Sequence, residues 1–272
     1  MTTGTELVDA LADVWDSIDA LAGSLSEDEF QRPTDCPGWS VQDNIVHIYA
    51  VESMLLGEPM PDHEIADDLE HVKNDFGRIN EIWVDSRRAR RGAEVRAEFE
   101  SVTGRRIADL RTLSEADFDG ESWTPVGKGT VRSLLPFRIF DAWAHEQDMR
   151  RALDRPGGFT GPAAEMAFAR CVGFMPFAIG KKLRPADGTS VVWELTGPLA
   201  RTVVVEIEGG RGRLSEAPPV DPVVTLTMST EAFAMLAMGR RDVATIVADA
   251  PVAIAGDAEF GARVLDAMNT LF

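Results

Sequence analysis

Cysteine is scarce in this chain. Cys36 and Cys171 are the only two in 272 residues, too few and too far apart for a disulfide framework or for the paired thiolates of a structural zinc site. Both are expected to be reduced, packed thiols. Positive charge is also in short supply: 27 Lys and Arg against 45 Asp and Glu leave a formal charge of −18, which repels phosphate backbones and anionic lipid surfaces. The expected partners therefore include no nucleic acid and no membrane. No apolar run approaches the length of a membrane span. The first residues, MTTGTELVDALADVW, have neither the basic start nor the apolar stretch of a secretory signal, so the expected compartment is the cytoplasm. Internal repeats and low-complexity tracts are missing as well. A 44% hydrophobic and 26% charged composition is ordinary globular usage, with enough apolar material for a core, and the length admits one or two domains.

Leu7, Leu11, Val14, Ile18 and Leu21 recur at three- and four-residue intervals and predict a helix ending near Leu25. After the turn-like stretch RPTDCPGWS, Ser40 with Asp43 three residues on marks a reciprocally capped helix start, running from Val41 to about Leu56. Phe76, Ile79 and Trp83 resume the helical spacing, and Val95, Phe99, Val102, Leu110 and Leu113 continue it past the basic residues at 87–91, as one long helix or two. TPVGKGT reads as a loop before a fourth helix, SLLPFRIFDAWAHEQDMRRAL, and Pro162 opens a further helix to about residue 180. The period then changes. SVVWEL, TVVVEI and VVTLTM are short, β-branched and separated by GPLAR and GGRGR, as antiparallel strands would be, and are followed by helices in STEAFAMLAMG and DAEFGARVLDAMNTLF with a strand PVAIAG between them. The predicted fold is mainly α with an α+β C-terminal part, divided at residues 1–155 and 156–272.

Asp141 and His145 stand four residues apart, so on a helix they project side by side from adjacent turns, and a bundle can bring His47 to them from a facing helix. Two imidazoles and a carboxylate leave coordination positions open, as in a catalytic metal site. The plainer reading is an Asp–His ion pair worth a few tenths of a kcal/mol at roughly i, i+4 spacing. His63 and His71, in an acidic segment containing Pro, are expected to be solvated.

The stretches DCPGWSVQDNIVHI, with Gly38, Trp39 and His47, and FDAWAHEQDMRRALDRPGG, with Trp143, His145 and Asp148, resemble the actinobacterial mycothiol-dependent maleylpyruvate isomerase family. AFAMLAMGRRD resembles the Gly-Arg step of that family's sterol-carrier-like second domain, with Arg240 at the Arg. The resemblance implies a DinB-like four-helix bundle followed by a small antiparallel sheet with helices. It implies a divalent ion on His47, Asp141 and His145, zinc first with nickel or iron(II) as alternatives, and mycothiol as the thiol cosubstrate. Asp141 departs from the family pattern, which has Glu there, and is shorter by one methylene. On this resemblance Arg240 becomes a catalytic and cofactor-binding candidate that clamps a substrate carboxylate, or else an Arg that complements a helix end. Asp148 is the second catalytic candidate, as an acceptor behind His145 or a contact for the thiol's sugar, with a solvated helix acid as the alternative. Trp39 is the candidate wall of the cofactor cavity, or plain core. Cys36 is expected to be packed rather than nucleophilic.

Three functions follow. The first is a metal- and mycothiol-dependent transferase or isomerase acting on a small electrophile, in which the ion deprotonates the thiol. The same ligands also suit a zinc hydrolase or a non-haem iron enzyme. The third is a non-enzymatic carrier of a small apolar ligand. Partners would be the small thiol and the small electrophile, and the chain a monomer or homodimer.

Overall fold

The computed structural model describes residues 2–217 and 219–270. They form two units: the first runs to Gly158 and adds Pro162–Ala164, and the second takes Phe159–Gly161 and the chain from Glu165 onward.

The first unit contains α1 (Gly4–Ala22), α2 (Glu27–Phe30), α3 (Val41–Leu55), α4 (Asp75–Asp85), α5 (Gly92–Leu110) and α6 (Val131–Leu153). Helices α1, α3, α5 and α6 make the bundle, with α1 and α3 each packed on both α5 and α6. The α1 stripe, Leu7 to Leu21, is buried as the spacing requires. Ser40 and Asp43 cap α3 reciprocally: the Ser40 N–H donates to Asp43 Oδ2 at 2.9 Å and the Asp43 N–H to Ser40 Oγ at 3.2 Å. The basic residues at 87–91 separate α4 from α5, so the long third helix is two helices. TPVGKGT is not a loop. It holds most of a hairpin, β1 (Glu121–Thr124) with β2 (Gly127–Thr130), which ends at the Thr130 cap of α6. Lys and Gly in place of β-branched residues hid β2 from a pattern search.

Helix α3 is buried from Val41 through Ser53, including Gln42, Asp43, Asn44, His47 and Glu52, and α6 buries Arg138, His145, Glu146, Gln147 and Asp148. Polar groups in such positions require partners. Glu52 is fully buried and faces Arg138 Nε at 2.6 Å and Arg106 Nε at 3.1 Å, while Arg138 Nη2 also donates to the Ile48 carbonyl at 3.3 Å. Arg138 thereby fixes α6 against α3.

In the second unit, α7 (Gly161–Phe177) continues into a π turn (Ala178–Leu183). Gly161–Leu183 is then long and apolar enough to cross a membrane, with half of its apolar window buried in the fold. This corrects the expectation that no segment approaches that length: Glu165 and Arg170 interrupt the run in sequence without ending the helix. The strands β3 (Ser190–Thr196), β4 (Arg201–Glu208), β5 (Arg211–Ser215), β6 (Val224–Ser229) and β7 (Ala253–Gly256) form one sheet in the order β5-β4-β3-β6-β7. The sheet is mixed rather than wholly antiparallel. The chain meanders outward from β3 to β5 and returns on the other side of β3, so β6 lies parallel to it, Trp193 opposite Leu226. Apolar runs of this kind report burial, not direction, and β3 is buried on both faces at its first four residues. Short helices α8 (Thr230–Ala237), α9 (Val243–Asp249) and α10 (Ala258–Ala267) complete the unit; β5 and α9 were not predicted. The end of the predicted last helix, residues 271–272, lies outside the described residues.

Because Glu52 is the fully buried partner of the buried Arg138 guanidinium and also meets the part-buried Arg106, Glu52→Gln is expected to cost about 3–5 kcal/mol, and replacing Glu52 and Arg138 together with apolar residues less. Urea unfolding of the full chain measures both.

Candidate metal centre

His47 comes from the middle of α3, and Asp141 and His145 from successive turns of α6. His47 Nε2 lies 3.4 Å from Asp141 Oδ2, and His145 Nε2 lies 3.7 Å from Asp141 Oδ1. The two ring centroids are 4.7 Å apart, and the three groups offer ligand atoms all within 4.8 Å of one another. Two donors at zinc distances in a tetrahedron stand about 3.3 Å apart, so the spacing fits a small divalent ion. The site is shielded but not closed: the two imidazole side chains are 6% and 8% exposed and the Asp141 side chain 30%.

Electrostatics match this donor set. Burial holds the His47 imidazole below its ordinary value against the pull of Asp141, which favours the neutral ring a metal needs. Burial opposes ionisation of Asp141, yet His47 and Arg138 outweigh it and hold the carboxyl well below the usual range. Arg138 Nη1 bonds Asp141 Oδ2 at 2.9 Å and is a permanent charge, so it sustains the carboxylate when His47 is neutral. His47 Nδ1 is buried without a hydrogen-bond partner among the described residues.

Trp39 is half-buried with its ring 5.0 Å from that of His47 and 5.8 Å from that of His145, so it stands beside both imidazoles. Its Nε1 donates to Glu81 Oε2 at 2.9 Å. Glu81, on α4, is fully buried and also meets His71 Nε2 at 3.0 Å and Arg88 Nη1 at 2.7 Å. His63 is likewise paired, at 2.6 Å from Asp85. The solvated reading of His63 and His71 is therefore corrected: α4 supplies carboxylates that the sequence did not assign to them. Gly38, at φ +79°, precedes Trp39, and a Cβ there would fall 2.6 Å from His71 Nδ1.

Asp148 is not a solvated helix acid. It is completely buried, bonds Arg151, accepts from the Cys36 thiol at 3.1 Å and lies 3.4 Å from His145 Nδ1. Cys36 is buried, as expected of a packed thiol. Arg240 belongs to the second unit, where its N–H closes the turn after α8 on the Met235 carbonyl at 3.0 Å. Arg241 pairs with Asp249 at 2.9 Å. Sequence reasoning missed Asn44, Glu52, Glu81 and Arg138. The available signal was their position: Asn44 and Arg138 each precede a predicted ligand by three residues, on the same helical face.

A helical bundle carrying two histidines and a carboxylate at a candidate metal centre, followed by an α+β unit, defines a two-part chain. The chain belongs to the family of the mycothiol maleylpyruvate isomerase N-terminal domain, whose model matches residues 11–150, and the SCP-2 sterol transfer family model matches residues 177–269. Proteins from two strains of Mycobacterium tuberculosis, both described as uncharacterized, are 25% identical over 233 residues, covering 85% of this chain and 84% of their own. The crystal structure of the mycothiol-dependent maleylpyruvate isomerase shares the fold at TM-score 0.55 and 17% identity, over 89% of this chain and 93% of that one. A histidine-to-alanine variant of it matches at TM-score 0.55 and 17% identity, over 94% and 96%.

Glu81 is held below its ordinary value of 4.5: burial acts to raise it, but Trp39, His71 and Arg88 outweigh that. The stability it contributes is present above that pH and lost as pH falls through the folded value. Glu81→Gln is expected to lower Tm at pH 7, with the gap to wild type closing towards pH 3; a gap constant with pH, followed by circular dichroism, would remove Glu81 from this role.

Proposed function

We propose that the chain is a metal-dependent enzyme that uses mycothiol as cosubstrate to isomerise, or transfer the thiol to, a small electrophile. The observation that carries this reading is the convergence of two buried imidazoles and one ionised carboxylate, with ligand atoms within 4.8 Å of one another. Membership of the mycothiol maleylpyruvate isomerase N-terminal domain family supports the choice of thiol. His47, Asp141 and His145 would hold the ion, zinc first. Bound there, a divalent ion supplies the charge that deprotonates a thiol at neutral pH. Arg138 keeps Asp141 ionised and fixed, and Trp39, beside both imidazoles, would wall the thiol's site. Arg240, in the second unit, would clamp a substrate carboxylate through two hydrogen bonds. Asp148 acts through His145 rather than on substrate. The cytoplasmic, monomeric or homodimeric enzyme expected from sequence is part of the same proposal.

The match to the SCP-2 sterol transfer family favours a second reading, a carrier of an apolar ligand. A recess of about 330 Å³ in the second unit, lined by Asp257, Glu259 and Arg263 with Phe260, Val223, Pro185 and Thr189, is too charged to be the site of such a ligand.

Elemental analysis of untagged wild type, His47→Ala and Asp141→Asn, with conjugation of a model electrophile to mycothiol, tests the proposal. Both variants are expected to lose metal and conjugation together, and Asp141→Glu to retain them. Full metal stoichiometry in both variants would remove these residues from the site. Iron in place of zinc would favour oxygen chemistry, and metal-free, stable protein holding a lipid-like ligand would favour the carrier.

A further inference from the structure

His145 has a second nitrogen that the triad does not use, and its surroundings determine which nitrogen carries the proton. Asn44 is completely buried one turn before His47 on α3. Its Nδ2 donates to the Ser40 carbonyl at 2.8 Å and to Thr34 Oγ1 at 3.0 Å. A carbonyl can only accept, so the amide is fixed with Nδ2 towards Ser40 and Oδ1 towards His145, 2.7 Å from Nδ1. Oδ1 can only accept, so Nδ1 must carry the hydrogen. Asp148 Oδ2, 3.4 Å from the same Nδ1, is an acceptor too and favours the same arrangement. A neutral imidazole protonated at Nδ1 has its lone pair on Nε2, the atom beside Asp141.

We propose that Asn44 is a positioning residue for the candidate metal centre, fixing His145 as the Nδ1–H tautomer so that an unprotonated Nε2 is presented to the ion. The inference rests on the metal reading above and adds to it the residue that readies one ligand. One turn of α3 then supplies both a ligand, His47, and the brace for the ligand on α6. Cys36, His145 and Asp148 form a second convergence of donors within 4.8 Å. Its makeup is that of a brace rather than of a second ion: Nδ1 is committed to Asn44, and Asp148 is engaged by the Arg151 guanidinium, which Asp35 anchors at 2.6 Å.

The test uses the full chain with zinc as probe. Zinc affinity is read by competition with a chromophoric chelator, and the His145 tautomer by imidazole ¹H–¹⁵N correlation in zinc-free protein. Asn44→Ala is expected to weaken zinc binding about 10- to 100-fold and to let His145 populate the Nε2–H tautomer. Asn44→Asp keeps an oxygen towards Nδ1 and is expected to retain the Nδ1–H tautomer, at a cost in stability because its second oxygen replaces the donor that Ser40 and Thr34 receive. Unchanged affinity and tautomer in Asn44→Ala, with zinc still lost in His47→Ala, would overturn the inference and leave the metal reading standing. An Nε2–H tautomer in wild type overturns it without any variant. Two zinc ions per chain, one of them lost in Cys36→Ser, would make Nδ1 a ligand and overturn it as well. A wild-type chain that takes up no zinc removes the metal reading and the inference with it.

Discussion

Helix α3 is buried along nearly its whole length, and every polar side chain on it must therefore find its partner inside the protein. Asp43 caps its own helix and meets Arg88 at 3.3 Å; Gln42 donates to the carbonyls of Arg87, Arg88 and Arg90. Asn44 turns to His145, His47 to Asp141, and Glu52 to Arg138 and Arg106. Three of these five residues pair with α6. Apolar packing alone tolerates small slips between helices, whereas a hydrogen bond of 2.7 Å and a buried ion pair of 2.6 Å do not. The polar contacts that satisfy α3 thus set its register against α6, and that register brings the candidate ligands together.

The same constraint explains what could be read from the sequence. Spacing alone located α1, α3 and α6, because apolar stripes and the Ser40–Asp43 cap act locally, while it left open whether the stretch of α4 and α5 was one helix or two. It also brought forward His47, Asp141 and His145, through residue types that bind metals. The long-range partners that fix Arg138 and Trp39 beside them were not legible. Glu52 lies 86 residues from Arg138, and Glu81 lies 42 from Trp39; no local rule links such positions. His63 and His71 looked solvated because their segment is polar, although α4 supplies each with a carboxylate. Strand direction was hidden for a similar reason: β3 and β6 pair across two intervening strands, and a run of Val residues reads alike in either direction.

The wall of the candidate site is tied to a segment that does not touch the triad. Trp39 beside the imidazoles is anchored by Glu81, and Glu81 is shared with His71 and Arg88. Arg88 extends the network to Asp85, which also holds His63. The stretch between α3 and α4 is thus fastened at two histidines to the helix that orients Trp39. A change at His71 would reach the imidazoles through one carboxylate and one indole, a short and contiguous physical route.

Aspartate where the resemblance read from the sequence implies glutamate poses a question of reach. One methylene fewer draws the carboxylate back towards α6, and an unsupported Asp would leave the two imidazoles without a common partner. Here the carboxylate still lies 3.4 Å from one Nε2 and 3.7 Å from the other, using both of its oxygens. What holds it there is Arg138, one turn earlier on α6 and itself bound to Glu52 and to the Ile48 carbonyl of α3. The guanidinium restricts the short side chain to one direction and keeps it ionised, so less of the carboxylate's freedom remains to be lost when it is engaged. A longer, freer glutamate would gain reach and lose this pre-organisation. The shorter side chain is compatible with the triad because the helices, and not the side chain, span the distance.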